Sequence, residues 1–335
     1  MKFGVLGAGV IGLSTGLELQ KQYPNASVTL LAEKFNRETT SDVAAGIFRP
    51  GPSFSTHSED DTRYVIEESF KHYDEIRRNH DALLTGVSEV SGYIFSSDNP
   101  SIVENELIQH IVPLYRKATE EELKICPGNW NFGSFFTTVL TECRRYLPWC
   151  LHRFQENHGQ VIEKKIGSFN DLSEYNFDVV FNCSGFGAKS LLKDRKLVPI
   201  RGQVIKVSAP WIKNFFYADY DTYVIPGLDG VTLGGCRNYD GYDTNLSRHD
   251  SAAIWERCTR LVPSLMNCTI ERESVGLRPH RDPVRIETEL IQTKSKPIKC
   301  VHNYGHGGYG VTTAPGSAKL AVKFGHVFLN KKSKM

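Results

Sequence analysis

Met1-Lys-Phe-Gly-Val-Leu-Gly-Ala-Gly-Val-Ile-Gly12, running on through Leu13-Ser-Thr-Gly-Leu-Glu-Leu-Gln-Lys-Gln22, is the stretch whose reading decides the fold. A short apolar run enters Gly7-x-Gly9-x-x-Gly12 and a helix-like run leaves it, the order of strand, tight turn and helix. Gly7 permits the turn, Gly9 lets the backbone approach a pyrophosphate, and Gly12 lets helix and strand pack closely. Val28-Thr-Leu-Leu-Ala32 then reads as a second buried strand. It ends at Glu33, 21 residues after Gly12, where a carboxylate can hold an adenosine ribose hydroxyl. Dinucleotide binding is the expectation.

At 335 residues the chain has room for one large or two ordinary domains. Its apolar content of 40% and charged content of 23% are those of an ordinary globular enzyme, and a net charge of +2 supplies no field for nucleic acid or an anionic membrane. Lys2-Phe3-Gly4 enters the first strand at once, leaving no room for a signal peptide. No apolar run approaches the roughly 20 residues of a spanning helix. The eight cysteines show no C-x-x-C and no regular spacing, so they read as reduced, mostly buried thiols, with no zinc site and no disulfide framework. Ser333-Lys334-Met335 is close to the S-K-L peroxisomal address, which makes the peroxisomal matrix the expected location and the cytoplasm the alternative.

Farther along, Gly46 to Asp61 is a turn-rich break and Arg63 to Asn79 an amphipathic helix. Asp178-Val-Val-Phe-Asn-Cys-Ser-Gly185 reads as a buried strand leading to a helix from Ala188. Ser184 and Gly185 then sit where open α/β sheets bind ligands. Gly202–Val207, Thr222–Ile225 and Gly230–Gly234 alternate like antiparallel strands, which predicts a second sheet inserted into the nucleotide fold. Thr259 to Gly276 reads as a helix and return. Val301 to Lys319 reads as a glycine-rich loop followed by a helix.

Several of these segments resemble, in order, the D-amino-acid oxidase and D-aspartate oxidase flavoenzymes. The resemblance runs through the glycine motif, Thr39-Thr-Ser-Asp-Val-Ala-Ala-Gly46, Leu147-Pro-Trp149, Val198-Pro-Ile-Arg-Gly-Gln-Val204, Val231-Thr-Leu-Gly-Gly235, Val275-Gly-Leu-Arg-Pro279 and His302-Asn-Tyr-Gly-His-Gly-Gly-Tyr-Gly310. It implies non-covalent FAD and oxidative deamination of a D-amino acid by O2 to an imino acid and hydrogen peroxide. The expected fold is α/β, with a Rossmann-like FAD-binding domain (1–50, about 137–190 and about 270–330) interwoven with a mainly antiparallel α+β substrate domain (about 51–136 and 191–269). A targeting tail follows at 331–335. One departure stands out: Ala314-Pro315-Gly316 replaces the family's His-Trp-Gly, and proline lacks a backbone donor, so this turn is expected to be shaped differently.

Hydride transfer from Cα to a flavin needs no protein base when the amine is neutral, so positioning residues are the ones to find. By the resemblance, Arg278, at an expected strand end, clamps the α-carboxylate with two parallel hydrogen bonds, Tyr223 adds a phenol donor, and the Gly308 carbonyl accepts from the ammonium. Arg237, where oxidases of neutral substrates carry uncharged residues, implies a second carboxylate on the substrate. His57 is a further candidate for it. For the cofactor, Gly7, Ala8, Gly9, Val10, Ile11 and Gly12 are assigned to the pyrophosphate, and Glu33 and Lys34 to the ribose. Thr40, Ser41 and Gly46 are assigned to the phosphate and flavin side, and Gly307, Val311 and Thr312 to the isoalloxazine. Ile47, Ile166, Ser184, Gly185 and Gly310 complete the set. The expected activity is oxidation of D-aspartate, D-glutamate or N-methyl-D-aspartate by O2. The alternatives are oxidation of neutral or basic D-amino acids, a nucleotide-binding protein without turnover, and an NAD-dependent dehydrogenase. The expected partners are that substrate, O2 and a peroxisomal import receptor.

Overall fold

The computed structural model describes residues 1–51, 53–219 and 221–329. The tail Ser333-Lys334-Met335 lies outside the described residues. In chain order the elements are β1 (Lys2–Ala8), α1 (Val10–Gln22), β2 (Ser27–Phe35), α2 (Glu59–Asn79), α3 (Ala82–Thr85), β3 (Val87–Ser96), β4 (Leu114–Lys117), β5 (Phe132–Thr141), α4 (Cys143–Glu156), β6 (Gln160–Glu163) and β7 (Val179–Asn182). There follow α5 (Ala188–Leu192), β8 (Val198–Ser208), β9 (Phe215–Ala218), β10 (Thr222–Gly227), β11 (Gly230–Gly234), β12 (Asn238–Tyr239), α6 (Arg248–Leu261), β13 (Thr269–Ile291), β14 (Ile298–His306) and α7 (Gly310–Leu329).

β1 lies between β2 and β7, with β6 outside β2 and β14 outside β7. All of these pairs are parallel. Strands buried on both faces read as continuous apolar runs, and β1, β2 and β7 do. The other half, β4-β5-β3-β9-β10-β11-β8, is antiparallel except where β9 meets β3. Instead of the separate inserted sheet that the sequence suggests, both halves form one 14-stranded sheet. The join is β13, whose 23 residues pair with β8 from Thr269 to His280 and with β14 from His280 to Ile291.

Four sequence expectations are corrected here. Thr259 to Gly276 is not a helix and return: α6 ends at Leu261 ahead of Pro263, which cannot continue it, and Thr269 already belongs to β13. Arg278 consequently sits in mid-strand, not at a strand end. Val301 to His306 is not a loop but the buried end of β14, covered by β13 on one edge and β7 on the other. α2 begins at Glu59, four residues before the sequence suggests, because Ser58 caps it by accepting from the Asp61 N–H at 3.1 Å.

Pro315 does not reshape a turn either; it lies inside α7. A proline there leaves the carbonyl of Val311 without its helical N–H partner. The Tyr73 hydroxyl of α2 donates to that carbonyl at 2.6 Å, and the Gly316 N–H donates to Ser69 Oγ, also on α2, at 2.8 Å. A Cβ at Gly316 would overlap the Val65 carbonyl oxygen, so glycine lets α2 close onto the proline. The two helices thus repair the break between them. Tyr73→Phe is expected to cost about 1–3 kcal/mol, the penalty of an unmatched buried acceptor. Pro315→Ala in that background should recover part of the loss by restoring the N–H. Denaturant unfolding of the four proteins of the cycle measures both.

Candidate active site

At the start of the parallel half, each glycine does a separate job. Gly7 has φ +104° and a Cβ there would strike the Cys183 carbonyl, while a Cβ on Gly12 would overlap the carbonyl oxygen of Gly7. These two contacts set α1 directly against β1 and β7. Gly9 is different: a Cβ there would crowd only Ser41 Oγ, at 3.2 Å, and its backbone lines the cavity. The helix start has no side-chain cap from Gly9; Ser41 Oγ accepts from the Val10 N–H at 3.1 Å. At the end of β2, Glu33 stands half exposed with Lys165 Nζ 3.3 Å away.

The antiparallel half supplies a second group of residues. Tyr223 on β10 pairs with Gly234 on β11, and a Cβ at Gly234 or Gly235 would overlap its ring. Arg278 crosses Gly202 of β8 in the same way, its guanidinium lying where a Cβ of residue 202 would be. Its Nη1 donates to the Cys236 carbonyl at 3.1 Å, which ties it to the residue before Arg237. A Cβ at Gly308 would lie 3.6 Å from Arg278 Cδ, so the signature turn passes beside the same arginine. Burial pushes the Tyr223 phenol up, with Arg278 opposing the shift, so the hydroxyl stays protonated and can donate. Arg237 is half exposed and Nη2 sits 2.9 Å from Asp221 Oδ1.

Both groups line one cavity of about 1230 Å³, which exceeds the roughly 300–1,000 Å³ of a pocket for a drug-sized molecule. Of the residues singled out from the sequence, Gly7, Ala8, Gly9, Val10, Ile11, Glu33, Lys34, Thr40, Ser41, Gly46, Ile47, Ile166, Ser184, Gly185, Tyr223, Arg237, Arg278, Gly307, Gly308, Gly310, Val311 and Thr312 line it. Two do not. Gly12 serves the helix–strand contact, and His57 points elsewhere, its Nε2 3.5 Å from Glu287 Oε2. The loop holding His57 is pinned to the second half of β13, Val284 N–H donating to the Ser55 carbonyl at 2.9 Å and Ser55 Oγ to Asp282 at 2.7 Å.

The sequence reading missed Arg49, Gly202, Tyr217, Asp221 and His306 as lining residues. Burial lowers the His306 imidazole to about 3, so it faces the cavity neutral. A charged residue directly behind Ile47-Phe48 was the available signal for Arg49. Nothing local marked Tyr217 or His306.

The model of the FAD dependent oxidoreductase family matches residues 2–324. The chain belongs to this family. It is 38% identical to human D-aspartate oxidase over 325 residues, covering 96% of this chain and 94% of the relative. It is 33% identical to a D-amino acid oxidase of Dugesia ryukyuensis, with 95% and 96% covered. Among solved structures, glycine oxidase from Geobacillus kaustophilus superposes with a TM-score of 0.79 over 97% of this chain and 94% of that one, at 16% identity, which shows the shared fold.

The protein is therefore a flavin-dependent oxidoreductase with FAD as cofactor, and its residues fit that group. The cradle at Gly9, where the missing Cβ leaves backbone beside Ser41 at the cavity wall, suits the pyrophosphate, and Glu33 near the end of β2 suits the adenosine ribose. Gly12→Val is expected to force α1 off β1 and cut FAD affinity by at least about tenfold, roughly 1.4 kcal/mol of lost binding. Titration of apoprotein with FAD, followed by quenching of flavin fluorescence, measures it.

Proposed function

We propose that this enzyme oxidises acidic D-amino acids, D-aspartate, D-glutamate or N-methyl-D-aspartate, with O2 and water to give the 2-oxo acid, hydrogen peroxide and the freed amine, which is ammonia for the first two and methylamine for the last. The observation that carries the reading is the pair Arg278 and Arg237, joined through Cys236 and lining the cavity that also holds the dinucleotide cradle. The likeness to human D-aspartate oxidase supports it.

FAD, when bound, supplies the two-electron acceptor and passes the electrons to O2. The protein's part is to hold the substrate. Arg278 presents a planar fork to the α-carboxylate, and its place across Gly202 fixes where that carboxylate lies. Tyr223, kept neutral by burial, donates a further hydrogen bond to it, and Gly308 offers a backbone carbonyl to the substrate amine. No residue has to remove a proton from Cα. Arg237 gives the side-chain carboxylate an opposite charge, in competition with Asp221.

We also propose that the enzyme resides in the peroxisomal matrix, which suits release of peroxide, through recognition of Ser333-Lys334-Met335 by an import receptor. Deleting those three residues should move a fluorescent fusion to the cytosol, and unchanged import would refute the assignment.

Peroxide release across a panel of D-amino acids tests the substrate class directly: kcat/KM for D-aspartate should exceed that for D-alanine. Arg278→Ala is expected to lower kcat/KM for both substrates by about 100-fold or more, the loss of a charge-assisted pair. Arg237→Ala should lower D-aspartate selectively. A wild-type preference for D-alanine would overturn the reading.

A further inference from the structure

We propose that Arg49 is a specificity-determining residue that receives the side-chain carboxylate of the substrate, alongside Arg237. This rests on the acidic-substrate reading above and adds a residue to it.

Arg49 lines the same cavity as Arg278, Tyr223 and Arg237. Its Nε is buried and has no hydrogen-bond partner among the described residues. A guanidinium in that condition lacks the anion that normally offsets its desolvation. Two of the carboxylates lining the cavity are engaged elsewhere. Asp221 holds Arg237 at 2.9 Å, and Asp219 accepts from Ser96 Oγ at 3.0 Å and from the Ser97 N–H at 3.1 Å. Of the two arginines offered to a side-chain carboxylate, Arg237 is thus already neutralised by a neighbour and Arg49 is not.

The setting of Arg49 is built. Its Cζ lies 4.7 Å from the centroid of the Tyr217 ring, a cation–π shelf that supports the guanidinium at the cavity wall. Tyr217 in turn packs on Tyr223, with centroids 5.5 Å apart, so the shelf adjoins the side chain assigned to the α-carboxylate. The backbone on either side of Arg49 is fixed. Phe48 N–H donates to the Val139 carbonyl and Thr138 Oγ1 to the Phe48 carbonyl, both at 2.8 Å, and Asn105 Nδ2 donates to the Pro50 carbonyl at 2.8 Å. A cation so placed loses little freedom when it binds. A dicarboxylic substrate completes its hydrogen bonds, whereas D-alanine leaves it unmatched, and discrimination follows from that difference.

The test uses FAD-loaded wild type, Arg49→Met, which keeps the stem, and Arg49→Lys, which keeps the charge without the fork. Arg49→Met is expected to lower the ratio of kcat/KM for D-aspartate over D-alanine by about 10- to 100-fold, chiefly through KM for D-aspartate. It should weaken succinate, read from the flavin absorbance change, by a similar factor and propionate far less. Arg49→Lys should fall between. If wild type itself favours D-alanine, the acidic-substrate reading fails. If wild type favours D-aspartate and Arg49→Met leaves the ratio within about twofold, the reading stands and the role of Arg49 is refuted. Should Arg49→Met not yield loaded protein, Arg49→Lys decides: a ratio equal to wild type, with succinate binding equal too, refutes the role.

Discussion

The pairing of β13 with two different neighbours is the constraint on which the remainder of the molecule rests. Its first half completes the antiparallel sheet against β8, and its second half extends the parallel sheet against β14. Arg278 lies in the strand close to the changeover at His280, so one side chain is presented from the seam between the half that can hold a dinucleotide and the half that can hold an amino acid. Backbone pairing with β8, in unbroken register from Arg272 to His280, holds Arg278 in place on that side. Such rigidity is what orientation of a C–H bond toward an acceptor requires.

Glycine is the second device, and it works by subtraction. Gly202 yields its Cβ position to the Arg278 guanidinium, and Gly234 and Gly235 yield theirs to the Tyr223 ring. Gly12 does the same for the Gly7 carbonyl. Bulky or charged groups can therefore lie flat on strands that would otherwise hold them away. The arginines of the cavity differ in how they are matched. Arg278 touches a backbone carbonyl, Arg237 an aspartate and Arg49 an aromatic face, so their readiness to meet an anion differs although their formal charge is equal.

The legible parts of the fold were those whose burial leaves a run in the chain. β1, β2 and β7 carry apolar runs through their buried middles because both faces are covered there, and β8, β10 and β11 show recognisable β-branched stretches. β13 was illegible over its first half. Glu271, Arg272 and Glu273 give it a charged surface, and its partners on β8 lie 61 to 82 residues back, beyond any local window. β14 was obscured differently, by glycines that resemble a loop although Tyr304 and its neighbours are buried. Pro315 broke a local rule, and the compensation came from Tyr73 and Ser69 on a distant helix.

By itself the sequence offered the glycine cradle and the acidic residue near the end of β2 as a short motif, and Tyr223, Arg237 and Arg278 through the resemblance of their motifs to a flavoenzyme family. Tertiary structure decided which of these share a cavity, that His57 turns to Glu287 instead, and that Arg49 joins them on Tyr217. The physical reason is that a side chain's charge is a property of the residue, whereas the partner that neutralises it, or leaves it unmatched, comes from strands far away in the chain.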